Sequence, residues 1–303
     1  VEQMLMFSSH LQQACDWVST CGDVPMEKAR WAVGAVVSRS FSVDTGEDFV
    51  RALPPLADIF NHKPLSTATW AAAETEDFDA ELQRPETAWA LSQDGQRLEV
   101  RALFPAAPGE EVLISYGEET LGEILAVHGF IPRDNEADYL EMFETHEELV
   151  LAAESLSKAS APVRPIMERL EATEAAEAPL ALRPGGLRAS GYMLGCMEAA
   201  LASAEELQNF REEWSDEVGH RILVPSANVP LQRRQELSQQ AVSVISSIAQ
   251  GVLRGLSSAS EDQLELAKSS GDEGEPRRLA VQYRLHVKQM ISDFVDQVNA
   301  KYH

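Results

Sequence analysis

Apolar residues recur at helical spacing near both ends of the sequence, and a strand-like pattern lies between. In residues 1–40, Trp31, Ala35 and Val36 follow the spacing of one helix face, which predicts helices. Over residues 53–116 the pattern changes to short apolar segments separated by Pro and Gly, which predicts strands and loops. We therefore expect the first half of the chain to combine helices with a small β-structure.

A β-hairpin is predicted inside this middle region. Residues 87–91 and 98–102 are strand-like segments that flank Asp94-Gly95, a dipeptide typical of tight hairpin turns. Residues 112–115 form a further short apolar segment and predict a third strand.

The strand pattern ends after Phe143, and helical spacing returns. Apolar residues repeat at this spacing from Leu237 to Val252 and again from Val287 to Val298. This change predicts a domain boundary, with a strand-rich domain over residues 1–145 and an all-α domain over residues 146–303. The predicted fold class is therefore α+β.

Length and composition agree with a soluble chain of two domains. The chain has 303 residues, which exceeds what one hydrophobic core usually serves. Hydrophobic residues make up 44% and charged residues 24%, as in ordinary globular proteins. No segment approaches the roughly 20 apolar residues that a membrane-spanning helix needs. We expect neither a membrane partner nor a secretory signal.

The charge of the chain is strongly acidic, with 25 Lys and Arg against 49 Asp and Glu and a formal net charge of -24. Such a surface repels nucleic-acid phosphates and favours a basic protein segment as partner. The alternative is that the acidic surface only keeps the protein soluble.

Three cysteines, Cys15, Cys21 and Cys196, form no CxxC pair and are too few for a disulfide framework. The seven histidines are scattered, and no zinc-ligand spacing occurs. We expect no metal and an intracellular location, in the cytosol or in a plastid or mitochondrion.

Two segments concentrate polar groups that could carry chemistry. The first is 53–62, Leu-Pro-Pro-Leu-Ala-Asp-Ile-Phe-Asn-His, which places Asp58, Asn61 and His62 within five positions. Taken alone, such a cluster is more often a hydrogen-bonded turn than a site.

The second segment is 108–117, Pro-Gly-Glu-Glu-Val-Leu-Ile-Ser-Tyr-Gly, a turn followed by a strand that ends at Tyr116. Functional sites are commonly built at the ends of strands. A single Tyr before Gly is otherwise usually a half-buried packing residue.

Together the two segments resemble the paired signature of SET domains, in which a PLADxxNH-like and a GEExxISYG-like segment cross in a pseudoknot. Residues 31–41 and 123–135 carry further similarity, including His128-Gly129-Phe130. These narrow the resemblance to the Rubisco large-subunit methyltransferase group, which includes an actin-histidine methyltransferase. The resemblance implies a pseudoknotted SET domain with inserted helices over residues 1–40 and core strands over 53–135. An all-α substrate-binding domain would follow.

The activity that the resemblance implies is S-adenosylmethionine-dependent N-methylation of a lysine, or of a histidine, in a protein substrate. By similarity, Asn61 and His62 hold the cofactor. Arg39 meets its methionine carboxylate, Asp58 helps to fix the loop, and Tyr116 is the catalytic residue.

Two substrate-channel residues are also implied, His128 and Phe130. The family usually has Tyr where His128 stands, and the segment between Tyr116 and Gly129 is one residue short. Packing beneath the channel is an equal alternative for His128.

The family's N-terminal Gly-x-Gly segment has no counterpart before Arg39. We expect it to lie upstream of Val1; the alternative is that this copy has lost it. A competing hypothesis is therefore a catalytically degenerate SET-like protein that acts as a binding or scaffold subunit of a larger complex.

Overall fold

A computed structural model divides the chain into two compact units, Val1–Ala137 and Asp138–His303. The residues that the structure describes are 2–44, 49–63, 87–92, 97–102, 105–117, 119–133, 135, 137–156, 163–173, 175–215, 220–268 and 275–302. The predicted turn at Asp94-Gly95 lies outside them.

Three helices lie among the described residues of the first unit. They are α1 (Glu2–Gly22), α2 (Met26–Arg39) and α3 (Leu121–His128). A reciprocal pair of bonds starts α3, because the Thr120 hydroxyl accepts from the amide of Glu123 and the Glu123 carboxylate accepts from the amide of Thr120. The two helices predicted before Phe41 are confirmed.

In the described part of the first unit, six short strands form three pairs. Antiparallel pairing joins β1 to β2 and β4 to β5, whereas β3 and β6 are parallel. The predicted strands 87–91 and 98–102 are confirmed as β4 and β5. The six strands are β1 (Phe41–Asp44), β2 (Phe49–Ala52), β3 (Asn61–His62), β4 (Thr87–Leu91), β5 (Leu98–Ala102) and β6 (Leu113–Ile114).

A small apolar cluster lies at the centre of this unit. Its buried members in the described part of the chain are Phe41, Val43, Ala57 and Ile114, and the Tyr116 ring packs against them. The segment that leads from β6 to Tyr116 is therefore anchored by Ile114, which is 2% exposed.

The second unit is predominantly helical. Its helices are α4 (His146–Leu156), α5 (Val163–Glu171), α6 (Gly191–Leu201), α7 (Ala204–Leu207), α8 (Leu231–Gly255), α9 (Ala259–Lys268) and α10 (Glu275–Tyr302). The helices predicted from the apolar spacing of residues 237–252 and 287–298 are confirmed as parts of α8 and α10. Leu237 and Phe294 are fully buried, whereas Val252 at the end of its series is 41% exposed.

Among the described residues, four strands also lie in the second unit, and three of them follow Phe143, after which the sequence pattern predicts no strand. Strand β7 (Leu140–Phe143) pairs antiparallel with β8 (Leu180–Leu182), and β9 (Phe210–Ser215) pairs antiparallel with β10 (His220–Pro225). Pairing with β8 places β7 in the second unit, and the two compact units divide between residues 137 and 138.

The missed strands have a physical explanation in their environment. Strand β9 reads Phe-Arg-Glu-Glu-Trp-Ser, which lacks the apolar alternation of a typical strand. Its partner β10 packs closely on α6 at Gly195, where an added Cβ would lie 2.2 Å from the carbonyl oxygen of Leu223. Tertiary packing therefore stabilises strands that local sequence does not indicate.

In the part of the chain that the structure describes, no helix is long and apolar enough to cross a membrane. The same residues contain no group of three or more His, Cys, Asp and Glu side chains arranged to hold a metal ion.

Candidate functional site

The two motif segments meet as neighbouring parallel strands. In the pairing of β3 with β6, Asn61 lies opposite Leu113 and His62 lies opposite Ile114. Residues more than fifty positions apart are thereby adjacent. Tyr116 lies two residues after Ile114, the last paired residue of β6. The structure thus brings the two predicted groups of site residues together.

Tyr116 is held by two hydrogen bonds to the first segment. Its hydroxyl donates to the carbonyl oxygen of Phe60 at 2.7 Å, and its backbone amide donates to Nδ1 of His62 at 3.1 Å. Burial raises the pKa of Tyr116 above its ordinary value, the charge of Arg39 opposes this shift, and the charge of Glu119 adds to it. The hydroxyl therefore stays protonated at neutral pH.

His62 supports Tyr116 through a nitrogen that carries no proton. An amide can only donate, so the bond from Tyr116 requires Nδ1 of His62 to accept. Burial, aided by the charge of His128, lowers the pKa of His62 to about 4. Its Nε2 therefore carries the hydrogen at neutral pH, and this buried atom has no hydrogen-bond partner among the described residues.

Four aromatic side chains form one cluster around Tyr116. The Tyr116 ring lies 4.9 Å from the ring of His62 and 4.6 Å from that of His128, measured between centroids. Phe130 completes the cluster at 6.5 Å from Tyr116. The predicted channel residues His128 and Phe130 thus lie beside the predicted catalytic Tyr.

His128 is engaged at both ring nitrogens. Nδ1 lies 3.1 Å from the carbonyl oxygen of Ser38, and Nε2 lies 3.1 Å from the carboxylate of Glu119. Both ring nitrogens of His128 therefore have protein partners.

Arg39 and Asp58 contact each other through the backbone. Nη1 of Arg39, at the end of α2, donates to the carbonyl oxygen of Asp58 at 2.8 Å. Asp58 lies in a single 3₁₀ turn, Ala57–Ile59, directly before β3. The guanidinium therefore fixes this turn without using the Asp58 carboxylate.

Asn61 is exposed, and its amide donates to the carboxylate of Glu111. Since the pairing of β3 with β6 uses backbone groups, the Asn61 side chain is not needed to hold the strand in place.

A cavity of about 250 Å³ lies against these residues. Arg39, Asp58, Tyr116 and His128 line it, whereas Asn61, His62 and Phe130 are not among its lining residues. Four of the seven predicted site residues therefore share one cavity.

Two charged lining residues were missed by the sequence analysis, Arg51 and Glu119. Arg51 donates from Nη1 to the Ser40 hydroxyl at 3.4 Å. Glu119 accepts at its backbone carbonyl from Nδ2 of Asn135 at 2.7 Å. Proximity to Tyr116 was the one sequence signal for Glu119, and none pointed to Arg51. The cavity thus offers two cationic side chains, Arg39 and Arg51, and two acidic ones, Asp58 and Glu119. This set suits a ligand that carries a positive group and a negative group.

Comparison with known proteins assigns this fold to the SET-domain class. The solved structure described as the SET domain of LSMT bound to lysine and AdoHcy matches with a TM-score of 0.51 and 14% sequence identity, over 98% of this chain and 62% of that one. A structure of Rubisco LSMT bound to sinefungin and monomethyllysine matches with a TM-score of 0.49 and 15% identity, over 99% of this chain and 63% of that one.

The similarity confirms the fold that the motifs of residues 53–62 and 108–117 imply. This chain spans about 62% of the length of the first of these structures. No protein-family model and no curated protein matches the sequence.

Proposed function

We propose that this chain is an S-adenosylmethionine-dependent protein N-methyltransferase that acts on a lysine, or a histidine, side chain. The observation that carries the proposal is the position of Tyr116, whose hydroxyl lies at the end of β6 beside β3 and lines the cavity. A solved structure of similar fold holds lysine and AdoHcy.

The residues at the site fit the cofactor by the chemistry of their donors. A methionine carboxylate needs a cation, and Arg39 lines the cavity. Among the described residues, one of its five N–H donors is bonded, to the Asp58 carbonyl oxygen. The buried Nε2–H of His62 is a donor that a ligand acceptor would satisfy. Asn61 and His62 would hold the cofactor, Arg39 would bind its carboxylate, and Asp58 would fix the turn. When bound, S-adenosylmethionine supplies a methyl group on a positively charged sulfur.

Tyr116 can orient a substrate nitrogen. Because its hydroxyl hydrogen is donated to the Phe60 carbonyl, the oxygen retains lone pairs that can accept from a substrate N–H. A free lysine has a pKa of about 10.4 and must lose a proton before it attacks. Burial and the positive charge of Arg39 both lower an amine pKa, so the site favours the neutral nucleophile. Alignment by fixed dipoles then supplies most of the rate.

The proposed substrate is a basic segment of a protein. With a net charge of -24, the chain attracts cationic segments and repels nucleic acid. This attraction is expected to weaken as salt is added.

A scaffold function is the second candidate. The observation in its favour is that the Asn61 amide donates to Glu111, so the group proposed to hold the cofactor already has a protein partner. The presence of His128 where the family has Tyr also favours a scaffold function. In this case the SET fold would serve as a binding subunit of a larger assembly.

Calorimetric binding of S-adenosylmethionine to the full-length protein, including any residues upstream of Val1, tests the proposal. Asn61→Ala is expected to weaken binding by roughly tenfold or more, the effect of losing a hydrogen bond to a charged or polar ligand group. The matched control is Asn299→Ala, an exposed residue of α10, which should leave affinity unchanged. No binding by a wild-type sample with a native circular dichroism spectrum would reject the enzyme and leave the scaffold.

A further inference from the structure

Glu119 lies in the cavity beside Tyr116, and the family resemblance gives it no role. Its backbone is pinned by Asn135, and its carboxylate contacts His128. About 30% of its side chain remains exposed. A carboxylate has roughly four acceptor positions, so the contact with His128 leaves capacity for a ligand.

His128 has no ring nitrogen left for a substrate. Nδ1 is engaged by the Ser38 carbonyl and Nε2 by Glu119. The side chain that stands where the family has a channel Tyr therefore cannot bond a substrate nitrogen without breaking one of these contacts.

Tyr116 can only accept from a substrate, because its single hydroxyl hydrogen is donated to the Phe60 carbonyl. The charge of Glu119 contributes to the raised pKa of Tyr116, which agrees with a carboxylate close to the hydroxyl. The Tyr116 hydroxyl oxygen and the Glu119 carboxylate are thus two acceptors on residues that line the same cavity.

A pair of acceptors discriminates between nitrogen nucleophiles. A nitrogen that attacks a methyl group must point a lone pair at it. A neutral primary amine carries this lone pair together with two N–H donors, whereas the attacking nitrogen of an imidazole carries no hydrogen. An attacking imidazole nitrogen therefore has no N–H to donate to Tyr116 or Glu119, and the acceptors stay unpaired.

We infer that Glu119 is a specificity-determining residue that accepts a hydrogen bond from the substrate nitrogen and selects an amine over an imidazole. This inference rests on the proposed function and extends it, because it chooses lysine over histidine. Each methyl group added removes one N–H donor, so the first transfer is favoured over later ones.

Binding of small probes, followed by NMR titration at pH 9, where 1-methylimidazole is neutral and n-butylamine is still cationic, tests the inference without requiring cofactor or activity. The probes are n-butylamine, n-butyltrimethylammonium and 1-methylimidazole. The first two carry the same charge, but only n-butylamine has N–H donors. Wild-type protein should bind n-butylamine on the order of tenfold more tightly than either of the others, the effect expected for a hydrogen bond to a charged group.

Glu119→Gln is the decisive variant, since it keeps size and shape but replaces one acceptor oxygen by an NH₂ donor. The preference for n-butylamine should fall to about twofold or less. Glu27→Gln, an exposed position in α2 of the same unit, makes the same change in charge and should keep the full preference.

Three results would overturn the inference: no detectable probe binding by wild-type protein, equal binding of the two cationic probes, or an unchanged preference in Glu119→Gln. Failure of the proposed function shows separately, as absence of S-adenosylmethionine binding. A sample that binds no cofactor but discriminates between the probes would keep the role of Glu119 and reject the methyltransferase.

Discussion

The two units of this protein are stabilised in different ways. Among the described residues, the first unit has a buried apolar cluster of four side chains, whereas the second has one of thirty. Around Tyr116 the first unit instead relies on specific bonds, from Tyr116 to Phe60 and His62 and from His128 to Ser38 and Glu119.

This difference separates residues needed for stability from residues needed for the site. A large apolar core loses much free energy when one side chain is truncated, because a cavity remains. A polar site loses only about 1 kcal/mol per neutral hydrogen bond, yet each bond positions a reacting group. We therefore expect large changes in stability in the second unit, and large changes in activity with small changes in stability in the first.

The largest expected change in stability is that of Phe294→Ala. Phe294 is fully buried in α10. Truncation should lower the free energy of unfolding by about 3–5 kcal/mol, from lost burial and the cavity created. Urea unfolding followed by circular dichroism measures this. Leu264→Ala, at a position 56% exposed in α9, is the matched control and should cost under about 1 kcal/mol. Equal losses in the two variants would contradict the expectation that burial in the second unit sets the cost of truncation.

A smaller, pH-dependent change is expected from Glu198→Gln in α6. Burial raises the pKa of Glu198 from 4.5 to about 7, and the Ser238 hydroxyl and Lys301 only partly oppose it. The unfolded chain ionises near pH 4.5 while the folded chain keeps its proton until about pH 7, so wild-type stability falls across this interval. Glutamine does not ionise, and the variant should gain about 1–3 kcal/mol over wild type by pH 7.

Urea unfolding of Glu198→Gln at pH 4.5, 6, 7 and 8 measures that gain. It should be close to zero at the lowest pH and constant above pH 7. Glu205→Gln, at an exposed position in α7, should show no comparable trend. A gain that does not depend on pH would mean that Glu198 is ionised in the folded protein.

The variant Tyr116→Phe should show the smallest change in stability and the largest change in activity. Loss of the bond to the Phe60 carbonyl should cost about 1 kcal/mol. Under the proposed function, methyl transfer to a lysine-rich peptide should fall by at least about a hundredfold, because the hydroxyl proposed to orient the nucleophile is gone. Tyr302→Phe, which loses a hydroxyl contact to Ser238 in the second unit, is the control for stability. Comparable activity in both variants would exclude a catalytic role for Tyr116.

The sequence predicted elements whose signals are local. The apolar spacing around Trp31 indicated α2, and the segments on either side of residues 93–96 indicated β4 and β5 with the bounds that the structure has. The motif segments 53–62 and 108–117 predicted a meeting of Asn61 and His62 with Tyr116, and the parallel pairing of β3 with β6 provides it.

Several features escaped prediction because their partners are distant in sequence. Strand β7 pairs with β8 about forty residues later, and β10 depends on the close approach of Gly195. Arg51 reaches the cavity from β2, where nothing in the neighbouring sequence distinguishes it from an exposed strand residue. Such positions depend on the path of the whole chain.

By itself, the sequence determined which residues could act at this site and in which order they occur along the chain, since helix periodicity, turn dipeptides and motif spacing are properties of short segments. Tertiary structure alone decided the chemical state of those residues. It makes Nδ1 of His62 an acceptor for Tyr116, occupies both nitrogens of His128, and places Glu119 in the cavity. The physical reason is that burial and hydrogen-bond partners set protonation and donor direction, and both arise only when distant segments pack together.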